Sequence, residues 1–144
     1  MAKPAHFEDV AEGSEIPPIE KSPITKVQLL QYAGASHDYN LLHTDDEFAR
    51  KAGMPNGVIA HGMLAMAVAA QLLTDWAGAA NVRRVSVRFT APTEPGDVVT
   101  AGGKVIRKYQ EAGENRVECE IWTRTQKGTV TTKGVGVVAL PGRG

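Results

Sequence analysis

The stretch GMLAMAVAAQLLTDW, residues 62–76, decides how this chain folds. It is rich in Ala, Met and Leu, and its only polar residues are Gln71, Thr74 and Asp75. Strong helix formers dominate, and a helix apolar on nearly all sides must be enclosed by the rest of the domain. The apolar run from Met63 to Leu73 is too short for a bilayer and is broken by Gln71, so it reads as a buried helix and not as a membrane span.

Beyond this helix the period changes to two. Val85, Val87 and Phe89 alternate with Arg84, Ser86 and Arg88, the pattern of a half-buried strand. Residues 91–97 carry Pro92, Pro95 and Gly96 and read as a turn. Three more strands are predicted over 98–110, 115–126 and 129–140, with Gly113 and Gly128 in the hairpin breaks. Gly102, Gly103, Gly134 and Gly136 lie inside strands, where glycine signals a bulge or a close backbone approach. Val117, Cys119 and Ile121 share one strand face, which makes Cys119 a core residue. One apolar helix followed by four sequential antiparallel strands gives an α+β class, and the simplest way to bury the helix is to wrap the sheet around it. The open edge of such a sheet can pair with a second copy, so a dimer fits.

N-terminal to the helix, an arm with Gly13, Pro17, Pro18 and Pro23 is extended and has room for one short strand. Thr25 with Gln28 reads as a capping box for a helix over 25–33, ahead of Gly34. Thr44 with Glu47 reads as a second box, opening a helix over 44–52 that stops at Gly53. Nothing repeats and no linker is visible, so residues 1–144 read as one domain.

Composition narrows the function. The 144 residues are 42% hydrophobic and 22% charged, which is ordinary for a globular protein. Sixteen basic residues balance sixteen acidic ones, leaving no field to draw in nucleic acid. Arg83, Arg84 and Arg88 are a local patch able to hold a phosphate, though arginines on a wet strand face are common. A single cysteine rules out an internal disulfide and zinc-finger spacing, and fits a reducing cytosol. No signal-peptide pattern opens the chain, so the expected location is cytoplasmic, with no membrane partner.

The chemistry-bearing residues fall between Tyr32 and Met63. Asp38 and His43 are five residues apart, with Asn40 between them, in a loop leading to the second helix. A carboxylate and an imidazole held together form a general acid–base pair that works near neutral pH, and Asn40 can brace the loop with its side chain. Asp and Asn also occur in loops for turn reasons alone. His61-Gly62-Met63 opens the buried helix, whose first amides have no internal partner and point partial positive charge outward. Glycine there lets a substrate approach the backbone, and a helix start beside an acid–base pair suits a carbonyl that gathers negative charge. His61 itself is expected to pack or hydrogen-bond at the helix start, and Met63 and Met66 to fill core. His37-Asp38 lacks the further His and Asp ligands that a metal centre requires.

Residues 32–43 (YAGASHDYNLLH), then AHGML over 60–64, then VRFTAP over 87–92 with Pro95-Gly96-Asp97, resemble the MaoC-like dehydratases, also called (R)-specific enoyl-CoA hydratases. The resemblance covers nearly the whole chain. It implies a hot dog fold, a long central helix wrapped by a curved antiparallel sheet, usually dimeric. It implies Asp38 and His43 as the catalytic pair around one water, the Gly62 N–H as the oxyanion donor, Asn40 in support, and no metal or organic cofactor. The implied substrate is an acyl-CoA or acyl-carrier-protein thioester, hydrated from the trans-2-enoyl to the (R)-3-hydroxyacyl form or dehydrated in reverse. This chain has His37 where the family usually has Gly, Leu41 where it has Pro, and Ala70 where some relatives have a Ser. The alternatives are a thioesterase on the same fold, with Asp75 as the only acid on the central helix, or the catalytic member of a heterodimeric dehydratase.

Overall fold

In the computed structural model, which describes residues 5–144, the chain enters with a short strand, β1 (Glu15–Glu20). Three helices follow: α1 (Lys26–Ser36), α2 (Asp46–Lys51) and α3 (Gly62–Ala77). Four strands complete the chain: β2 (Val82–Phe89), β3 (Val99–Glu111), β4 (Glu114–Thr125) and β5 (Val130–Ala139). The helix starts obey local chemistry. The Thr25 side chain accepts from the Gln28 amide at 3.0 Å, capping α1. At α2 the cap is Asp45, which accepts from the Phe48 amide at 2.9 Å, and not the expected Thr44. Thr44 is one residue too early, because its own amide closes the preceding turn onto the Leu41 carbonyl. Gly34 does not end α1, which continues to Ser36 and stops where His37 turns left-handed at φ 58°.

The sheet has the order β1-β3-β4-β5-β2, every neighbouring pair antiparallel. The expected sequential pairing holds for β3, β4 and β5 only. β2 pairs with β5 and forms an edge, so residues 91–97 are a crossing and not a hairpin turn. The backbone groups of this crossing are satisfied elsewhere. The Thr93 carbonyl accepts from the Ala60 amide at 2.7 Å, the Gly96 amide donates to Ile24 at 2.7 Å, and the Asp97 carbonyl accepts from the Ile24 amide at 2.9 Å. The crossing thereby fastens the residues just before α3 and α1. On the opposite edge, the β1 register shifts between Ile16 and Ile19, where Pro17 and Pro18 have no amide to give the ladder.

The core lies between α3 and the concave face of the sheet. Ala65, Val68, Ala69, Leu72, Leu73 and Ala77 are buried along α3, facing Val105, Val117, Cys119 and Ile121 among others. Burial pushes the Cys119 thiol up to about 12, so it stays protonated and inert. The strand glycines act through close approach. A Cβ at Gly103 would stand 2.9 Å from Ile16 and 3.2 Å from a Leu72 methyl, and one at Gly136 would enter the Leu73 side chain. One register shift, between Ile16 and Ile19 of β1, falls opposite Gly102, and others lie away from the glycines, between Val105 and Arg107 and between Thr123 and Arg124.

The expectation of full enclosure fails on one face of α3. Met63 is 55% exposed, Ala67 is also exposed, and Met66 is only half-buried. A chain of this length has one sheet, and one sheet covers one side of a helix, so Met63 is not core filling. No helix among the described residues is long and apolar enough to cross a membrane.

Gly136→Ala is expected to destabilise the protein by about 1–3 kcal/mol, the usual cost of forcing atoms into a packed core. Urea unfolding measures it, and a variant as stable as the parent would mean that Leu73 does not seat on that glycine.

Candidate active site

The loop after α1 is shaped by its own polar side chains. His37 takes the left-handed conformation that ends α1, a position favouring glycine. Asp38 Oδ1 accepts from the Asn40 amide at 3.2 Å, and Asn40 Oδ1 accepts from the Leu42 amide at 3.0 Å. These two turns set up a single 3-10 turn, Leu41–His43, and fix the direction in which His43 leaves it.

The His43 ring is half of a pair with a defined proton. Its Nδ1 lies 2.7 Å from the Ile59 carbonyl, which accepts and therefore places the hydrogen on Nδ1. In the neutral ring the lone pair is then on Nε2, which stands 3.8 Å from Asp38 Oδ2. That distance is too long for a hydrogen bond, and one water lying to the side of the line between the two atoms could reach both. The His43 side chain is only 10% exposed, whereas that of Asp38 is 49% exposed, so the carboxylate sits at the rim and the imidazole inside.

A cavity of about 240 Å³ is lined by His43, His61 and Gly62 and by Phe89, Pro92 and Thr131, while Asp38 lies outside its lining. Gly62 is the first residue of α3, so its amide has no acceptor within the helix. The space its missing Cβ leaves is filled by the Phe89 ring, which would be 2.9 Å from such an atom. The glycine therefore serves close packing of Phe89. A second cavity, about 360 Å³, lies at the other end of α3 between Pro17, Pro18, Ile19, Leu72, Asp75 and Trp76. It contains none of the acid–base residues.

Three contributors to this lining were not read as site residues from the sequence. Phe89 and Thr131 are brought in by strands that only the sheet order places here. His61 is 1% exposed, stacks on His43 with centroids 3.8 Å apart and planes at 25°, and puts Nε2 3.1 Å from the Asp38 carbonyl. Burial holds its pKa below the ordinary 6.5, opposed by the bond to Asp38. The one available signal was a histidine directly before the glycine that opens an apolar helix. Polar atoms of Asp38, His43 and His61 lie within 4.8 Å of one another, close enough to consider a metal ion. The stack argues for proton chemistry instead, since two nearly parallel rings aim their in-plane lone pairs side by side and not at one point. A shared ion would require one ring to leave the stack.

Of the arginines, Arg83 is engaged by Glu114, with Nη2 to Oε1 at 2.7 Å and Nε to Oε1 at 3.0 Å. Arg84 and Arg88 remain exposed on β2.

Residues 10–133 match the model of the MaoC like domain. The chain belongs to that family. A 3-hydroxyacyl-thioester dehydratase Y from Mycobacterium tuberculosis is 32% identical over 109 residues, which is 69% of this chain and 37% of that protein. A mitochondrial 3-hydroxyacyl-[acyl-carrier-protein] dehydratase from Arabidopsis thaliana is 41% identical over 69 residues, 47% of this chain and 40% of that protein. The MaoC-like chain thus spans well under half the length of these two curated relatives. Among solved structures, an (R)-hydratase from A. caviae involved in PHA biosynthesis superposes with a TM-score of 0.79 and 26% identity. It covers 93% of this chain and 99% of that one. The helix-in-sheet architecture is therefore the hot dog fold that the motifs implied.

The buried neutral His61 makes stability depend on pH. Unfolding exposes the ring and restores its ordinary pKa, so between 6.5 and the lower folded value the unfolded chain binds more protons. Stability is complete above about 6.5 and falls as pH drops through that window. Urea midpoints at pH 7.5 and 5.5 check this, and the drop should be smaller in His61→Phe.

Proposed function

We propose that this protein hydrates trans-2-enoyl thioesters to (R)-3-hydroxyacyl thioesters and catalyses the reverse dehydration. The carrying observation is the 3.8 Å gap between Asp38 Oδ2 and the unprotonated His43 Nε2, beside a helix-start amide. A water in that gap donates to both groups. As its oxygen attacks the β-carbon, one proton passes to the pair and the thioester carbonyl takes up the electron pair of the double bond. The Gly62 N–H stabilises that oxygen. The pair then returns a proton to the α-carbon, so one water is added across the double bond and the catalyst is regenerated. The thioester already acidifies the α-position, so this reading requires neither a metal nor an organic cofactor. The names of the two curated relatives, both dehydratases of 3-hydroxyacyl thioesters, support the substrate class, and that of the solved (R)-hydratase supports the stereochemistry.

A homodimer belongs to the same reading. Met63, Ala67 and the β2 edge are apolar or unpaired surfaces that one sheet cannot cover, and a second copy would cover them. The thioesterase alternative is less well supported. Asp75 lies thirteen residues after Gly62, roughly 20 Å along the helix at 1.5 Å per residue, and next to the other cavity.

Hydration of crotonyl-CoA, followed as loss of the conjugated double bond's absorbance, tests the proposal. Asp38→Asn and His43→Ala should each lower kcat by about 100- to 10,000-fold, the range for losing a general acid–base group, without loss of folding. Full activity in both variants would remove the assignment. Free thiol release from acyl-CoA would favour the thioesterase.

A further inference from the structure

We infer that His61 is a positioning residue that holds Asp38 and His43 in register with each other and with the start of α3. The inference rests on the hydratase reading for its effect on turnover, but its geometry is independent of the substrate. His61 touches all three parts of the machinery. Its Nε2 faces the Asp38 carbonyl at 3.1 Å, and a carbonyl can only accept, so the hydrogen is on Nε2 and His61 donates. Its ring centroid lies 3.8 Å from that of His43, with the planes 25° apart, which limits tilting of the imidazole whose Nε2 must point at the water. Its backbone is the N-cap of α3, immediately before Gly62, so the ring is tethered at the helix start.

The ring also meets Tyr32 of α1, with centroids 4.8 Å apart and planes at 54°. His61 thus packs against both α1 and the 3-10 turn that carries His43. The Asp38 loop itself has few apolar anchors: Asp38, Tyr39, Asn40 and Leu41 are all exposed. A hydrogen bond from a 1% exposed ring is what ties such a segment to the body of the protein.

A packing role alone does not explain the residue. With Nε2 committed as donor, Nδ1 is an acceptor, and among the described residues it is buried without a partner. A buried, unsatisfied acceptor carries a desolvation cost that a phenyl or isobutyl group of similar size would avoid. The sequence retains the costly side chain, and the hydrogen bond to Asp38 is the one thing in the site that an apolar ring cannot supply.

Three variants separate the contributions. His61→Phe keeps an aromatic face for His43 and loses the donor. His61→Gln keeps a donor of similar reach and loses the stack, and His61→Ala loses both. Turnover of crotonyl-CoA should fall by about tenfold in His61→Phe and in His61→Gln and by about 100-fold in His61→Ala. KM should stay within about twofold of the parent, because His61 acts on the groups that move protons and not on binding. His61→Phe should remain folded to the same urea concentration as the parent or a higher one, having lost the orphan acceptor, so activity and stability should separate. A merely structural residue would make them fall together. Amide hydrogen exchange gives a readout independent of turnover. Protection of the His43 amide, bonded to the Asn40 carbonyl at 3.0 Å, should fall at least about tenfold in His61→Phe while β4 amides keep theirs. A parent that does not hydrate crotonyl-CoA would sink the hydratase reading, with the inference then standing or falling on exchange. Parent-like kcat together with parent-like protection in His61→Phe overturns it.

Discussion

The structure depends on how closely one helix can lie against one sheet. Leu72 and Leu73 of α3 seat where the sheet presents glycine, at Gly103 and Gly136, and the absence of two Cβ atoms sets the depth of the helix. That depth fixes the rest. It brings the N-terminus of α3 to the level of the crossing after β2, where the Ala60 amide bonds Thr93, and it places Phe89 against Gly62. Move the helix outward by the width of a methyl group, and the wall formed by Phe89, Pro92 and Thr131 no longer meets the wall formed by His43 and His61.

The acid–base pair is built on a different principle. No strand carries it, and its loop has little core of its own. It is held by hydrogen bonds to backbone carbonyls: His43 to Ile59, His61 to Asp38. Backbone carbonyls have fixed identity at every position, so these anchors define proton location on both imidazoles without relying on a third side chain. His43 is left with its lone pair toward the rim, and His61 with its hydrogen toward the loop. Two histidines that share a stack therefore donate through opposite ring nitrogens.

Much of this was legible in the residues, for local reasons. The capping of α1 by Thr25, the extent of α3 and the alternation in β3, β4 and β5 are properties of neighbouring residues, and periodicity carries them. What was misread depends on partners distant in the chain. The position of β2 beside β5 is decided by where residues 91–97 find acceptors, at Ile24 and Ala60, which no local pattern states. Met63 looked like core because hydropathy cannot say how many sides of a helix one sheet covers. The second helix cap was displaced from Thr44 to Asp45 by a 3-10 turn too short to leave a periodic trace. Asp38, Asn40 and His43 were visible as a set, while the stacking of His61 on His43 joins residues eighteen apart and needed coordinates.

The two walls of the cavity come from separate stretches of chain. Residues 43–62 supply both imidazoles there, and the strand end and crossing, with Thr131 of β5, supply the rest of the lining with Ala65. Substitutions at Phe89, Pro92 or Thr131 can reshape the cavity while the imidazole anchors stay untouched. A lineage carrying this arrangement can alter the shape of one surface without disturbing the hydrogen bonds that hold the other.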